Sequence, residues 1–142
     1  AAAVNGGYLY EPRLVKSILD DQGNTAVTFA SEVRSRPIRE DTSKKIAAML
    51  ERVVTEGSGK QAYIEGYHGG GKTGTAQKFE NGKLAVGKNV SSFVGFFPAT
   101  SPKYLALVVV DEPQGMSYGS MVAARYAKLI FERIIALKDF TV

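Results

Sequence analysis

The chain has 142 residues, of which 44% are hydrophobic and 23% charged, with a formal net charge of +4, a balance that suits one globular domain and points away from disorder, collagen and coiled coils. It has no cysteine, which excludes disulfide scaffolds, thiolate metal sites and cysteine nucleophiles together. The basic residues are scattered without interleaved aromatics, so no nucleic-acid partner is expected, and the longest apolar run, Tyr104 to Val110, is far below the roughly twenty residues that a bilayer-spanning helix needs.

Ala1 to Val4 reads as the last turn of a helix, ended by Asn5-Gly6-Gly7. The opening Ala1-Ala2-Ala3-Val4 has no initiator methionine and no basic leader, and is read as the start of a fragment whose upstream part is missing. Arg13 to Leu19 and Thr25 to Phe29 flank a polar stretch, which predicts a hairpin with a longer loop, and Arg34 to Arg39, interrupted by Pro37, reads as irregular. Asp41 is a candidate N-cap for a helix over about Thr42 to Glu56, where Ile46, Leu50, Val53 and Val54 recur at helical spacing until Gly57 and Gly59.

The stretch from Gly66 to Gly74 is glycine-dense. Strand-like alternation then runs through Thr75, Gln77 and Phe79 to Asn81-Gly82, a strong hairpin turn. Val90 to Phe97 and Lys103 to Val110 are rich in β-formers and separated by a turn between two prolines, so three antiparallel strands are expected. Val122, Ala123, Tyr126, Ala127, Ile130, Ile134 and Leu137 mark an amphipathic helix over Tyr118 to Leu137 that can lie across one sheet face. The whole pattern predicts an α+β fold, an antiparallel sheet packed against helices.

Two motifs compete for the same residues. Gly66 to Thr73 fits G-x-x-x-x-G-K-[ST], and Leu107 to Asp111 could pass for a strand ending in a magnesium-binding aspartate, so a P-loop nucleotide hydrolase must be weighed. A phosphate-binding loop leads directly into a helix, whose dipole and amides hold the phosphates. Here Gly74 and a strand-like pattern follow instead, and the turns before Asp111 are too short for parallel crossovers. The other reading is Lys72-Thr73-Gly74-Thr75-Ala76 on a strand. Alternation there sets Thr73 and Thr75 on one face and Lys72 and Gly74 on the other, so an extended peptide could pair with the strand.

With Gly6 to Pro12, Gly70 to Gln77, Ser91 to Ala99 and Tyr104 to Pro113 in order and at family spacing, the chain resembles class B penicillin-binding proteins over nearly its whole length. The resemblance implies a partial serine β-lactamase/penicillin-binding transpeptidase fold, with residues 1–142 the carboxy-terminal portion of a transpeptidase domain. It implies that the intact protein is a D,D-transpeptidase that cross-links peptidoglycan by serine acyl transfer, binds stem peptides ending in D-Ala-D-Ala and is a target of β-lactams. It implies no cofactor. Lys72, Thr73, Gly74 and Thr75 would form the substrate-binding strand: Thr73 and Thr75 would grip the terminal carboxylate, Lys72 would supply positive potential and bond into the serine network, and the Thr75 amide would be one of two oxyanion donors.

The family's nucleophile lies in Ser-x-x-Lys and its proton-relay partner in Ser-x-Asn. Neither spacing occurs among the serines from Ser17 to Ser120. The expected explanation is truncation, which makes the fragment alone inactive and leaves apolar surface for the missing upstream half or for self-association. By the same resemblance the parent is anchored in the bacterial cytoplasmic membrane and faces outward, while the fragment itself is soluble. A catalytically silent peptide-binding module remains a third reading.

The bland readings are simpler elsewhere. His68, the sole histidine, reads as an exposed loop residue rather than a triad base. Asp111 and Glu112 read as solvated, Tyr118, Tyr126 and Phe131 as core or docking residues, and Ser91 and Ser92 as a polar rim at the start of a strand.

Overall fold

The computed structural model describes residues 1–115 and 122–138. It divides into two compact units, residues 1–44 and residues 45–142.

The first unit opens on a single helical turn, in which the Asn5 amide donates to the Ala1 carbonyl at 3.2 Å, before Gly6 and Gly7 take positive φ. Strand β1 (Leu9–Tyr10) then pairs antiparallel with β4 (Val33–Ser35). The stretch expected to be irregular thus begins with a strand. Its partner is too short for alternation to reveal, and the Pro37 after it masks the signal. Strands β2 (Ser17–Leu19) and β3 (Thr25–Thr28) form the expected hairpin, with a first strand shorter than the predicted one. Asp20 organises its loop: one carboxylate oxygen accepts from the amides of Gln22 at 2.9 Å and Asn24 at 2.8 Å. Those bonds, led by that from Asn24, hold the Asp20 carboxyl below its ordinary range.

Helix α1 (Glu40–Thr55) starts earlier than predicted, and its first turn already closes with the Ser43 amide on the Arg39 carbonyl at 3.0 Å. Asp41 is therefore inside the first turn and not its cap. Glu40 and Asp41 place negative charge where the helix dipole favours it. Glu40 also accepts from Lys44 at 2.6 Å, the leading reason that its carboxyl titrates low, with Arg36 contributing less.

In the second unit a short 3-10 helix (Lys60–Ala62) leads to a three-stranded antiparallel sheet in the order β5 (Gly70–Glu80), β6 (Lys83–Phe97), β7 (Tyr104–Asp111). The β5–β6 connection is the predicted two-residue turn, with φ of 52° at Asn81 and 74° at Gly82, the type I′ geometry whose twist matches the flanking strands. Strand β6 begins at Lys83 rather than Val90, because Lys83 and Leu84 continue the ladder opposite Glu80 and Phe79.

Helix α2 (Ala123–Lys138) packs on β6 and β7. The expected start at Tyr118, and Tyr118 itself, lie outside the described residues. The buried face of α2 is Ala123, Ala124, Ala127 and Phe131, whereas Tyr126, Ile130 and Leu137, placed on the inner stripe by periodicity, are exposed. Alanines at the contact let the helix come close to the sheet, and Phe131 fills the remaining space.

The core of this unit joins Val54 of α1, Ala62, Phe93 and Phe97 of β6 and that face of α2, with Ala106, Val108 and Val110 of β7 packed against it. Burying the Phe93 ring, 1% exposed, is worth about 1.5–3 kcal/mol relative to an exposed one. On the opposite face Phe96 is buried, but among the described residues nothing covers Leu105, Leu107 and Val109, which are 47%, 64% and 55% exposed and leave that part open. Among the described residues no helix is long and apolar enough to cross a membrane.

Candidate functional site

Strand β5 is an edge strand: among the described residues it pairs only with β6. Residues 72–75 are extended within it, with Lys72 opposite Val94, Thr73 opposite Phe93, Gly74 opposite Ser92 and Thr75 opposite Ser91. Residues directly opposite in an antiparallel pair share a face. Thr73 and Thr75 therefore lie on the helix-covered face with Phe93 and Ser91, and Lys72 and Gly74 on the open face with Val94, Leu107 and Val109.

Lys72 and Thr75 are exposed, and Thr73 and Gly74 are half-buried. The Lys72 ammonium donates to the Thr73 carbonyl at 2.9 Å, and among the described residues no carboxylate pairs with it. Among the described residues no counter-charge meets it at this point of the strand. A Cβ built on Gly74 would lie 2.6 Å from Ser92 Oγ, so the absence of a side chain at 74 lets that hydroxyl sit against the strand. The Thr73 hydroxyl meets a partner that sequence reasoning missed: its Oγ1 lies 3.0 Å from Oγ of Ser58, in the loop after α1. The sequence signal for Ser58 was its position between Gly57 and Gly59 at a helix end.

Residues 72–75 do not open a helix, as the strand reading expects, so the phosphate-binding-loop alternative fails. Gly70 and Gly71, in the glycine-dense stretch, are buried strand residues beneath the rings of Phe96 and Phe93. Other expectations need correcting. Ser91 is fully buried in the middle of β6 and is no rim residue. Asp111 and Glu112 are not merely solvated: Lys78, beside a register shift in β5, reaches across β6 to Asp111 at 3.0 Å and Glu112 at 2.8 Å. Glu112 first, then Asp111, raises the Lys78 pKa. His68 is exposed as expected, and its Nδ1 is 2.6 Å from Glu51 Oε1. Among the described residues no group of three or more His, Asp or Glu side chains could hold a metal ion.

Among the described residues, then, β5 is an edge strand that carries two threonine hydroxyls and an ammonium paired with no carboxylate, and such an edge can accept a further extended chain. Residues 1–135 match the family described as the penicillin-binding protein transpeptidase domain. The chain belongs to that family. Among curated members of the transpeptidase family, it is 45% identical to stage V sporulation protein D of Bacillus subtilis over 126 residues, covering 87% of this chain and 20% of that protein. It is 38% identical over 90 residues to the probable peptidoglycan D,D-transpeptidase PenA of Neisseria gonorrhoeae, covering 62% of this chain and 16% of that one.

The transpeptidase fold recurs in solved structures. The D,D-transpeptidase domain of a peptidoglycan glycosyltransferase from Eggerthella lenta superposes with a TM-score of 0.79 at 27% identity, covering 99% of this chain and 31% of that one. Penicillin-binding protein 3 of Mycobacterium tuberculosis gives 0.82 at 25% identity, covering 99% and 34%. The chain thus spans about a fifth of the curated relatives and about a third of these solved chains.

Proposed function

We propose that the protein containing this chain is a peptidoglycan D,D-transpeptidase of class B type, acting by serine acyl transfer and inhibited by β-lactams, and that residues 1–142 are the carboxy-terminal portion of its transpeptidase domain. The observation that carries this reading is β5, extended through Lys72, Thr73, Gly74 and Thr75, which among the described residues is an edge strand whose lysine ammonium pairs with no carboxylate. A stem peptide ending in D-Ala-D-Ala adds to β5 as a further strand, with Thr73 and Thr75 on its terminal carboxylate and Lys72 attracting it.

The Thr75 amide acts as one of two oxyanion donors when the acyl carbonyl becomes tetrahedral. The serine that attacks, and the base beside it, come from an upstream segment. Lys72 lies on the open sheet face with Leu105, Leu107 and Val109, and that segment covers this face; chain length supports this, since the relatives are several times longer. The parent is anchored in the cytoplasmic membrane with this domain outside.

Fluorescent penicillin tests the reading. Residues 1–142 alone stay unlabelled, and the full-length protein labels at a serine outside them. Labelling of the isolated chain would refute the missing nucleophile. An unlabelled full-length protein that still binds acyl-D-Ala-D-Ala would instead make it a silent peptide-binding module.

A further inference from the structure

Ser58 has no part in the function proposed above, yet its place is tightly set. The Gly57 amide donates to the Arg52 carbonyl at 3.1 Å and the Gly59 amide to the Val53 carbonyl at 2.9 Å, so both neighbours of Ser58 are tied to the end of α1. A Cβ on Gly57 would meet the Val53 backbone at 3.0 Å. One on Gly59 would come 3.1 Å from the Val53 carbonyl oxygen and 3.4 Å from the Phe93 ring. Phe93 is the cross-strand partner of Thr73. The loop is therefore seated against the same point of the sheet as Thr73, and Ser58 Oγ lies 3.0 Å from Thr73 Oγ1.

A hydroxyl carries one hydrogen and two acceptor lone pairs, and that hydrogen rotates to suit its surroundings. If Thr73 gives its hydrogen to Ser58, none is left for an anion. If Ser58 gives its hydrogen to Thr73, the Thr73 hydrogen is free to donate, and donating while accepting polarises and strengthens the bond. An anion drawn by the Lys72 ammonium selects the second direction.

We propose that Ser58 is a positioning residue for carboxylate recognition, donating to Thr73 Oγ1 so that the Thr73 hydroxyl donates to the substrate carboxylate. The inference rests on the reading of Thr73 as a carboxylate ligand. It deepens that reading by adding a second hydroxyl, from a different element, to the anion site.

The test compares acylation of the full-length protein by benzylpenicillin and by its methyl ester, which lacks the anion. Ser58→Ala should lower the second-order rate constant for the free acid about five- to tenfold, leave the ester unchanged and be rescued by Ser58→Thr. Wild-type reactivity of Ser58→Ala toward the free acid, or an equal loss toward both compounds, would overturn the inference. Thr73→Val separates the two proposals. If it abolishes the preference for the free acid while Ser58→Ala does not, only the role of Ser58 fails. If it leaves that preference intact, the reading of Thr73 fails and Ser58 with it. A wild-type protein that reacts with neither compound sinks both.

Discussion

Gly71 and Gly95 face each other across the β5–β6 ladder, and the rings of Phe93 and Phe131 lie on the floor they leave. A Cβ on Gly71 would come 2.3 Å from Phe93 Cζ and one on Gly95 2.8 Å from Phe131 Cε2. The residue before Lys72 is thus part of the core seam that fixes β5 to the sheet. Gly71→Ala should destabilise the second unit by roughly 1–3 kcal/mol through overpacking. A lower urea midpoint with an unchanged slope checks this, and an unshifted midpoint would show that the rings yield freely.

The Asn81-Gly82 turn makes the β5–β6 arm. Gly82→Val forces a branched side chain to φ near 74° and should cost on the order of 1–2 kcal/mol. Amide exchange at Phe79 and Leu84, paired beside the turn, should accelerate. Unchanged protection there would mean that the ladder, not the turn, sets the register.

Lys78 links β5 to the end of β7 through Glu112 and Asp111. Its pKa is raised by those partners, Glu112 first. The stabilisation is therefore fully present below the unfolded lysine value of about 10.4 and is lost as pH rises through the higher folded value. The stability difference between wild type and Lys78→Met should be flat from pH 7 to about 10 and shrink above it. Chemical denaturation across that range decides the matter, and a difference that grows with pH would contradict the clamp.

Lys72 is exposed and unpaired with any carboxylate among the described residues, so its loss should leave stability nearly unchanged. In the full-length protein, Lys72→Ala should slow penicillin acylation on the order of 10²-fold, the range seen when one electrostatic group of an acyl-transfer site is removed. Stopped-flow acylation together with a melting curve tests both halves. Equal loss in stability and rate would make Lys72 structural.

Local signals carried much of this. Asn81-Gly82 announced its turn because only a few residue types tolerate positive φ at both central positions, and the β2–β3 loop announced itself by its polar cluster. The Lys72-Thr73-Gly74-Thr75 strand was legible because its type and spacing are contiguous. On α2 periodicity placed Ala123, Ala127 and Ile134 correctly but not Tyr126 and Ile130, which look as apolar as Ala127 and Phe131 yet are exposed. Hydrophobicity alone does not say which of two apolar stripes finds a partner.

By itself the sequence determined the α+β class, the three-strand meander, the existence of both helices and the extended Lys72-Thr73-Gly74-Thr75 strand, all written in residues close together in the chain. Tertiary structure alone decided the pairing of β1 with β4, the burial of Ser91, the Lys78 clamp to Asp111 and the meeting of Ser58 with Thr73. Those depend on residues some 15 to 33 positions apart, brought together by packing rather than by any pattern along the backbone. A hydroxyl or an ammonium finds its partner only after the apolar core has set the distance between the elements that carry them.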